Sequence, residues 1–213
     1  MPLVIPRLYA IIDRTQTGGR SPLEVADILL RSGIRLIQFR DKQASAGEFL
    51  ASAARVAECV RAAEGVFIVN DRADIARAVG ADGVHVGQED LPVEAARHIV
   101  GPGKWVGCSS HTLEQMQTAD LSSADYVACG PVFPTASKVN ADPVVGLAGV
   151  RAARRLTRKP LVAIGGITVG NARAVLDAGA DSVAVISGLI SAPDIARRAE
   201  EFLKALVNLS LDL

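Results

Sequence analysis

The segment Gln38-Phe39-Arg40-Asp41-Lys42 sets an amide and two cations at alternate positions at the end of an apolar run. If that run is a strand, alternation puts Gln38, Arg40 and Lys42 on one face, where they suit a diphosphate and a polar ring. A solvated strand end with salt bridges has the same composition. Asn70-Asp71 and Gly87-Gln88-Glu89-Asp90 bring carboxylates to the ends of two further runs. Asp71 and Asp90 together make a hard oxygen site, of the kind Mg²⁺ shares with phosphate oxygens and water. Asn70 suits a phosphate oxygen or the ion's water. Asp90 has a second reading, because Asp before Leu91-Pro92 is also a helix N-cap pattern. Ser109-Ser110-His111 adds hydroxyls. The loop from Gly130 to Lys138 adds Thr135, Ser137 and a lysine that can act as a point charge on an anion. A bare surface loop reads similarly. Gly165-Gly166-Ile167 and Ile186-Ser187-Gly188 offer glycines where a backbone can approach a phosphate monoester. Two anion sites result, one with metal, arginine and lysines, the other metal-free. That division fits a two-substrate transfer, with a diphosphate leaving group and a monophosphate acceptor.

Converging these groups requires an architecture that gathers strand ends. The chain supplies β-rich runs alternating with amphipathic stretches rich in Ala, Leu, Glu and Arg. The runs are 8–13, 36–40, 66–70, 83–87, 105–109, 126–130, 161–166 and 182–187. Helices are predicted over 22–32, 47–63, 73–79, from near 92, from near 113, and over 147–157, 169–178 and 193–207. Ser21, Pro22 and Gly33 supply an N-cap, a first-turn proline and a terminator for the first. Eight strand–helix units without a linker predict one α/β domain over 1–213, a compact (β/α)₈ TIM barrel. Several runs are apolar throughout, as parallel strands buried on both faces are. In this fold the site lies at the C-terminal ends of the strands, and phosphates sit at the loops after strands seven and eight. The polar clusters fall at those ends. An open doubly wound sheet is the competing arrangement.

The 213 residues carry 23 basic and 23 acidic side chains, so nothing points to nucleic acid or an anionic membrane. No apolar run approaches the ~20 residues that cross a bilayer, and the first residues lack a signal-peptide pattern. Cys59, Cys108 and Cys129 form no CxxC pair and read as buried reduced thiols. The expectation is a cytoplasmic protein acting on small phosphorylated molecules, with a homo-oligomer left open. Of the histidines, His85 falls within a strand, His98 on a helix, and His111 beside Ser109. No Ser-His-Asp or Cys-His set is evident.

One ordered set of motifs spans the chain: Leu8-Tyr9-Ala10-Ile11-Ile12-Asp13, Gln38 to Lys42, Asn70-Asp71-Arg72, Ala81 to Asp90, Gly107 to Thr112, Gly130 to Lys138, and Ala163 to Ile167. In this order they resemble the thiamine phosphate synthase family. The resemblance implies that Gln38, Arg40 and Lys42 hold an aminopyrimidine diphosphate with help from Asn70, Ser109 and Lys138. It implies Asp71 and Asp90 as Mg²⁺ ligands, Thr135 and Ser137 facing a thiazole, and Gly166, Ile186 and Ser187 around its phosphate. Arg40, Lys42, Ser109 and Lys138 would carry the catalytic burden. The implied chemistry is dissociative: diphosphate leaves, and the thiazole nitrogen captures the pyrimidine-methyl cation. Ser137 departs from the usual Thr-x-Thr-Lys pattern but keeps the hydroxyl. Phe39 replaces a commoner leucine, on the face opposite the cations. Two rivals share the barrel: a thiazole tautomerase-like paralogue, and a non-catalytic barrel that binds thiamine intermediates.

Overall fold

The computed structural model describes residues 4–135 and 143–207. Ser137 and Lys138 lie outside the described residues.

The order of elements is β1 (Leu8–Asp13), α1 (Pro22–Arg31), β2 (Leu36–Arg40), α2 (Ala46–Ala62), β3 (Val66–Asn70), α3 (Ala73–Ala78), β4 (Gly83–Val86) and α4 (Val93–Val100). It continues through β5 (Trp105–Ser110), α5 (Leu113–Leu121), β6 (Tyr126–Cys129), α6 (Gly146–Leu156), β7 (Leu161–Ile164), α7 (Val169–Asp177), β8 (Ser182–Val185), α8 (Ser187–Ile190) and α9 (Ile195–Leu206). Every strand pairs in parallel with its sequence neighbours. β1 closes on β8 through Leu8–Val183, Tyr9–Ala184 and Ala10–Val185. The closed (β/α)₈ barrel is therefore the architecture, and the open sheet is excluded.

Local chemistry explains where the helices begin. Ser21 accepts from the Glu24 N–H at 3.1 Å ahead of Pro22. Ser45 and Glu48 form a reciprocal capping box, as do Thr112 and Gln115. Each satisfies N–H groups that the first helical turn leaves without partners. These starts follow the strand ends, so they frame the mouth of the barrel.

Alternation along the strands divides the interior into two nested cores. Tyr9, Ile11, Leu36, Ile68, Tyr126, Ala128, Val162 and Ala184 fill the barrel itself. Ala10, Ile12, Ile37, Phe39, Phe67 and Val69 face outward into the layer beneath the helices. Phe39 meets Phe49 of α2 at 5.0 Å between ring centroids. Burying such a side chain contributes roughly 1.5–3 kcal/mol. Cys108 and Cys129 are buried, while Cys59 is only half-buried on α2. All three thiols are free, and burial pushes Cys129 up to about 12.

The structure shortens some runs and adds an element. β2 stops at Arg40, so Lys42 reaches the mouth from beyond the strand. β7 ends at Ile164, where Gly165 turns the chain at a φ of +102°. β8 ends at Val185, and the residues read as its tail open α8 instead. Four residues are too few to display a 3.6-residue period, so the sequence gives α8 no signature. α9 begins at Ile195 because Asp194 caps it, accepting from the Arg197 N–H at 2.9 Å.

Candidate active site

A cavity of about 920 Å³ opens at the C-terminal ends of the strands. Gln38, Arg40, Lys42, Asn70, Asp71, Asp90, Ser109, Thr135, Gly166, Ile186 and Ser187 all line it. Residues from β2, β3 and β5 and from the segments following β2, β3, β4, β6, β7 and β8 therefore share one space.

On β2, Gln38 is buried, and its amide Nε2 donates to the Tyr9 hydroxyl at 2.7 Å. Arg40 sits opposite Asp13 in the β1–β2 register and forms an ion pair with it. Asp13 is 1% exposed and also accepts from the Thr15 N–H at 2.9 Å and the Thr15 hydroxyl at 2.6 Å. The guanidinium expected to face an anion thus has a resident carboxylate on one side.

Beyond β2, the Lys42 ammonium lies 2.6 Å from Asp71 Oδ2 and 4.0 Å from Asp90 Oδ1. Asp71 follows β3 in a left-handed conformation, φ 61°, which its N–H supports by donating to the His85 carbonyl at 2.8 Å. Few non-glycine residues hold that conformation, and Asp is among those that do. Asp90 Oδ2 accepts from the Gly87 N–H at 2.8 Å. The flank of α4 is Pro92, with no side-chain cap, so Asp90 closes its own loop and does not cap the helix. Burial raises Asp71 to about 6; the Asp90 carboxyl adds to the rise and Lys42 opposes it. Among the described residues no cluster of three or more His, Cys, Asp or Glu could hold a metal. A pair of carboxylates already bridged by a cation is nonetheless an all-oxygen donor set, which fits a hard divalent ion completed by substrate oxygens.

That raised carboxyl makes a pH prediction. Asp71 is favoured protonated in the folded chain, so its contribution is fully present below the unfolded value of 3.8 and is lost as pH rises through about 6. Asp71→Asn imitates the protonated form at every pH. Metal-free Asp71→Asn should therefore gain stability over the parent as pH rises from 4 to 7, by roughly 1–2 kcal/mol, with little gain below pH 4. Thermal melts across that range check it; a difference that does not vary with pH would refute the burial account.

On β5, Ser109 Oγ lies 2.8 Å from His85 Nε2. His85 Nδ1 lies 3.0 Å from the Tyr126 hydroxyl, which lies 3.0 Å from that of Tyr9. Burial pushes His85 down to about 4 against the weaker pull of Asp90, so the ring is neutral near pH 7. Tyr9 and Tyr126 were not among the expected site residues. They are the chain's two tyrosines and both fall on inward positions, which is the signal a sequence reading can use. Gln88 was missed too; its amide donates to the Ser109 carbonyl at 2.6 Å. His111 lines the cavity, with Nδ1 at 2.7 Å from the Gly130 carbonyl.

Across the mouth, Gly166 has a φ of +64°, and a Cβ there would come within 2.5 Å of the Pro134 carbonyl and 2.7 Å of Phe133 Cβ. Only glycine fits. Ile186 leads into α8, and Ser187 and Gly188 of its first turn line the same wall.

The family model described as thiamine monophosphate synthase matches residues 8–189. The chain is 52% identical over 208 residues to a thiamine-phosphate synthase of Koribacter versatilis, covering 96% of this chain and 97% of that one. It is 45% identical over 192 residues to a thiamine-phosphate synthase of Moorella thermoacetica, with 90% and 91% covered. A solved thiamine phosphate pyrophosphorylase from Pyrococcus furiosus superposes with a TM-score of 0.85 at 38% identity, covering 93% of this chain and 94% of that one. With the closed barrel and the polar mouth already described, these matches place the chain in the thiamine monophosphate synthase family.

Proposed function

We propose that the chain joins an aminopyrimidine-methyl diphosphate to a thiazole phosphate, or its carboxylate, in a Mg²⁺-dependent transfer that yields thiamine phosphate and diphosphate. The observation that carries this reading is one cavity with two unlike walls. Lys42, Asp71 and Asp90 gather on one side, and Gly166 and the first turn of α8 on the other.

Asp71 and Asp90 would hold the ion, which when bound supplies positive charge to a departing diphosphate. Lys42 and Arg40 add fixed cations beside it, a role that the family resemblance also gives Lys138. Gln38, Asn70 and Ser109 orient the aminopyrimidine. The C–O bond to the diphosphate breaks with both electrons leaving on oxygen. The thiazole nitrogen then donates its lone pair to the pyrimidine-methyl carbon, forming the new C–N bond. Charges fixed before the reaction lower the barrier because they need no reorganisation as the leaving group becomes anionic. Thr135 faces the thiazole, a role that the family resemblance also gives Ser137, and Gly166, Ile186 and Ser187 take its phosphate through backbone N–H groups. A thiazole tautomerase would have no use for the Lys42–Asp71–Asp90 cluster.

Among the described residues no helix is long and apolar enough to cross a membrane. We place the enzyme in the cytoplasm, consistent with its three free thiols, and allow it a homo-oligomeric state. Purified protein mixed with both substrates and Mg²⁺ should form thiamine phosphate and diphosphate in equal amounts, and EDTA should stop it. Binding of both substrates without product would overturn the synthase reading.

A further inference from the structure

The hydrogen bonds described above join into one buried line across the barrel: Gln38, Tyr9, Tyr126, His85, Ser109. It starts on β2 and ends on β5, and both end residues line the cavity. The three middle groups are buried, Tyr126 completely.

Each hydroxyl has a single proton to give. The Gln38 N–H occupies the Tyr9 oxygen, so the Tyr9 proton goes to Tyr126. The Tyr126 proton then goes to His85 Nδ1, which leaves the imidazole proton on Nε2, pointing at Ser109 Oγ. Ser109 accepts there, and its own proton is left over. At the other end, the amide oxygen of Gln38 is left over. The cavity is therefore offered an acceptor from β2 and a donor from β5. Turning the Gln38 amide over would reverse every link at once, and the cavity would be offered a donor and an acceptor instead. Partial reversal would strand a buried polar atom without a partner.

A second observation shows that the line is built for. Gly107 lies at an inward position of β5, against Tyr126 and His85. A Cβ there would stand 2.1 Å from Tyr126 Cζ and 2.4 Å from His85 Nδ1. Glycine weakens a strand interior, and here it leaves the room that the Tyr126–His85 link occupies.

We infer that this line is a specificity device, in which Tyr9, Tyr126 and His85 are positioning residues that fix the donor and acceptor polarity of Gln38 and Ser109 toward the substrate ring. The inference rests on the proposed function for the identity of that ring. A pyrimidine with an amino group beside a ring nitrogen matches the offered pair: the amino N–H faces the Gln38 oxygen, and the ring nitrogen faces the Ser109 hydroxyl. The oxo counterpart, which carries C=O and ring N–H at those positions, mismatches both while the Gln38 amide donates to Tyr9, and would need every link of the line reversed.

The test compares kcat/KM for the aminopyrimidine and the hydroxypyrimidine diphosphates in the parent and in Tyr126→Phe, which cuts the line while keeping both ends. The preference for the amino form should fall roughly 10- to 100-fold in Tyr126→Phe, with KM for the thiazole phosphate unchanged. A second readout is the coupling of Gln38→Met with Ser109→Ala. It should be non-additive in the parent and additive when Tyr126 is phenylalanine. A preference kept within twofold would overturn the inference and leave the line a structural one. If Tyr126→Phe does not fold, Tyr9→Phe cuts the adjoining link and is read the same way. If the parent turns over neither diphosphate, the synthase reading fails by itself. The line is then judged by calorimetric binding of the two free pyrimidine methanols. Loss of preference in the variant supports it, and unchanged preference overturns it.

Discussion

Asp71→Ala should lower the rate of thiamine phosphate formation about 10³-fold at saturating substrates and Mg²⁺, the scale of removing one preorganised charge-stabilising group. The side chain is one of two carboxylates that converge on Lys42, and its backbone is already held in the left-handed conformation that aims it there. Removing it leaves Lys42 with its more distant partner, Asp90 at 4.0 Å, and halves the oxygen site. Because Lys42 is exposed, water takes up the released ammonium and the fold should tolerate the change. The variant should therefore melt within a few degrees of the parent while losing its response to added metal. Initial rates across a Mg²⁺ titration, paired with melts, check this. A rate within threefold of the parent at saturating metal would remove Asp71 from the proposed ion site.

Arg40→Met should act on stability first. Asp13 is 1% exposed and keeps its ion pair across the β1–β2 seam. Cutting the guanidinium away leaves a buried carboxylate with, among the described residues, the Thr15 donors. Stranding one partner of a buried pair costs about 3–5 kcal/mol. For a chain of this size 3 kcal/mol corresponds to a fall in Tm of roughly 6–12 °C. Adding Asp13→Asn removes the stranded charge, so the double variant should recover most of that loss. Its turnover should stay low, because the cation proposed to face the diphosphate is still missing. Melting curves and rates for the three variants separate the two roles. A single variant that melts with the parent would show that the Asp13 pair contributes little.

The barrel was legible because its signals are repetitive. Runs such as Leu36 to Arg40 and Val66 to Asn70 match their strands residue for residue. Ser21-Pro22 marks a helix start by cap chemistry that needs no tertiary partner. The polar strand ends were legible for the same reason, since Gln38, Asn70, Asp71 and Ser109 interrupt apolar runs at one end of the fold. What the sequence hid is relational. Nothing local shows that Arg40 is answered by Asp13, 27 positions earlier, or that Lys42 spans two carboxylates from different loops. Asp90 carried two readings because an ion ligand and a helix cap use the same side chain; the cap is ruled out only by the fold, where Pro92 flanks α4 and Asp90 accepts from the Gly87 N–H instead. Tyr9 and Tyr126 passed as ordinary strand residues, because aromatic side chains suit strands and a hydroxyl's partner is invisible until the barrel closes.

The inner core gives the enzyme a dead end. Tyr9, Leu36, Ile68, Tyr126 and Val162 fill the barrel below the cavity and are almost wholly buried, so the barrel is no passage. Everything that enters by the mouth must leave by it. On the proposed placement the pyrimidine lies deepest, against Gln38 and Ser109, while the diphosphate lies outward at Lys42, Asp71 and Asp90. Traffic is then single file: the pyrimidine must be seated before the groups nearer the rim, and the diphosphate is positioned to depart ahead of the larger product. Depth along the barrel axis becomes sequence in time, and a crowded rim would delay release rather than chemistry.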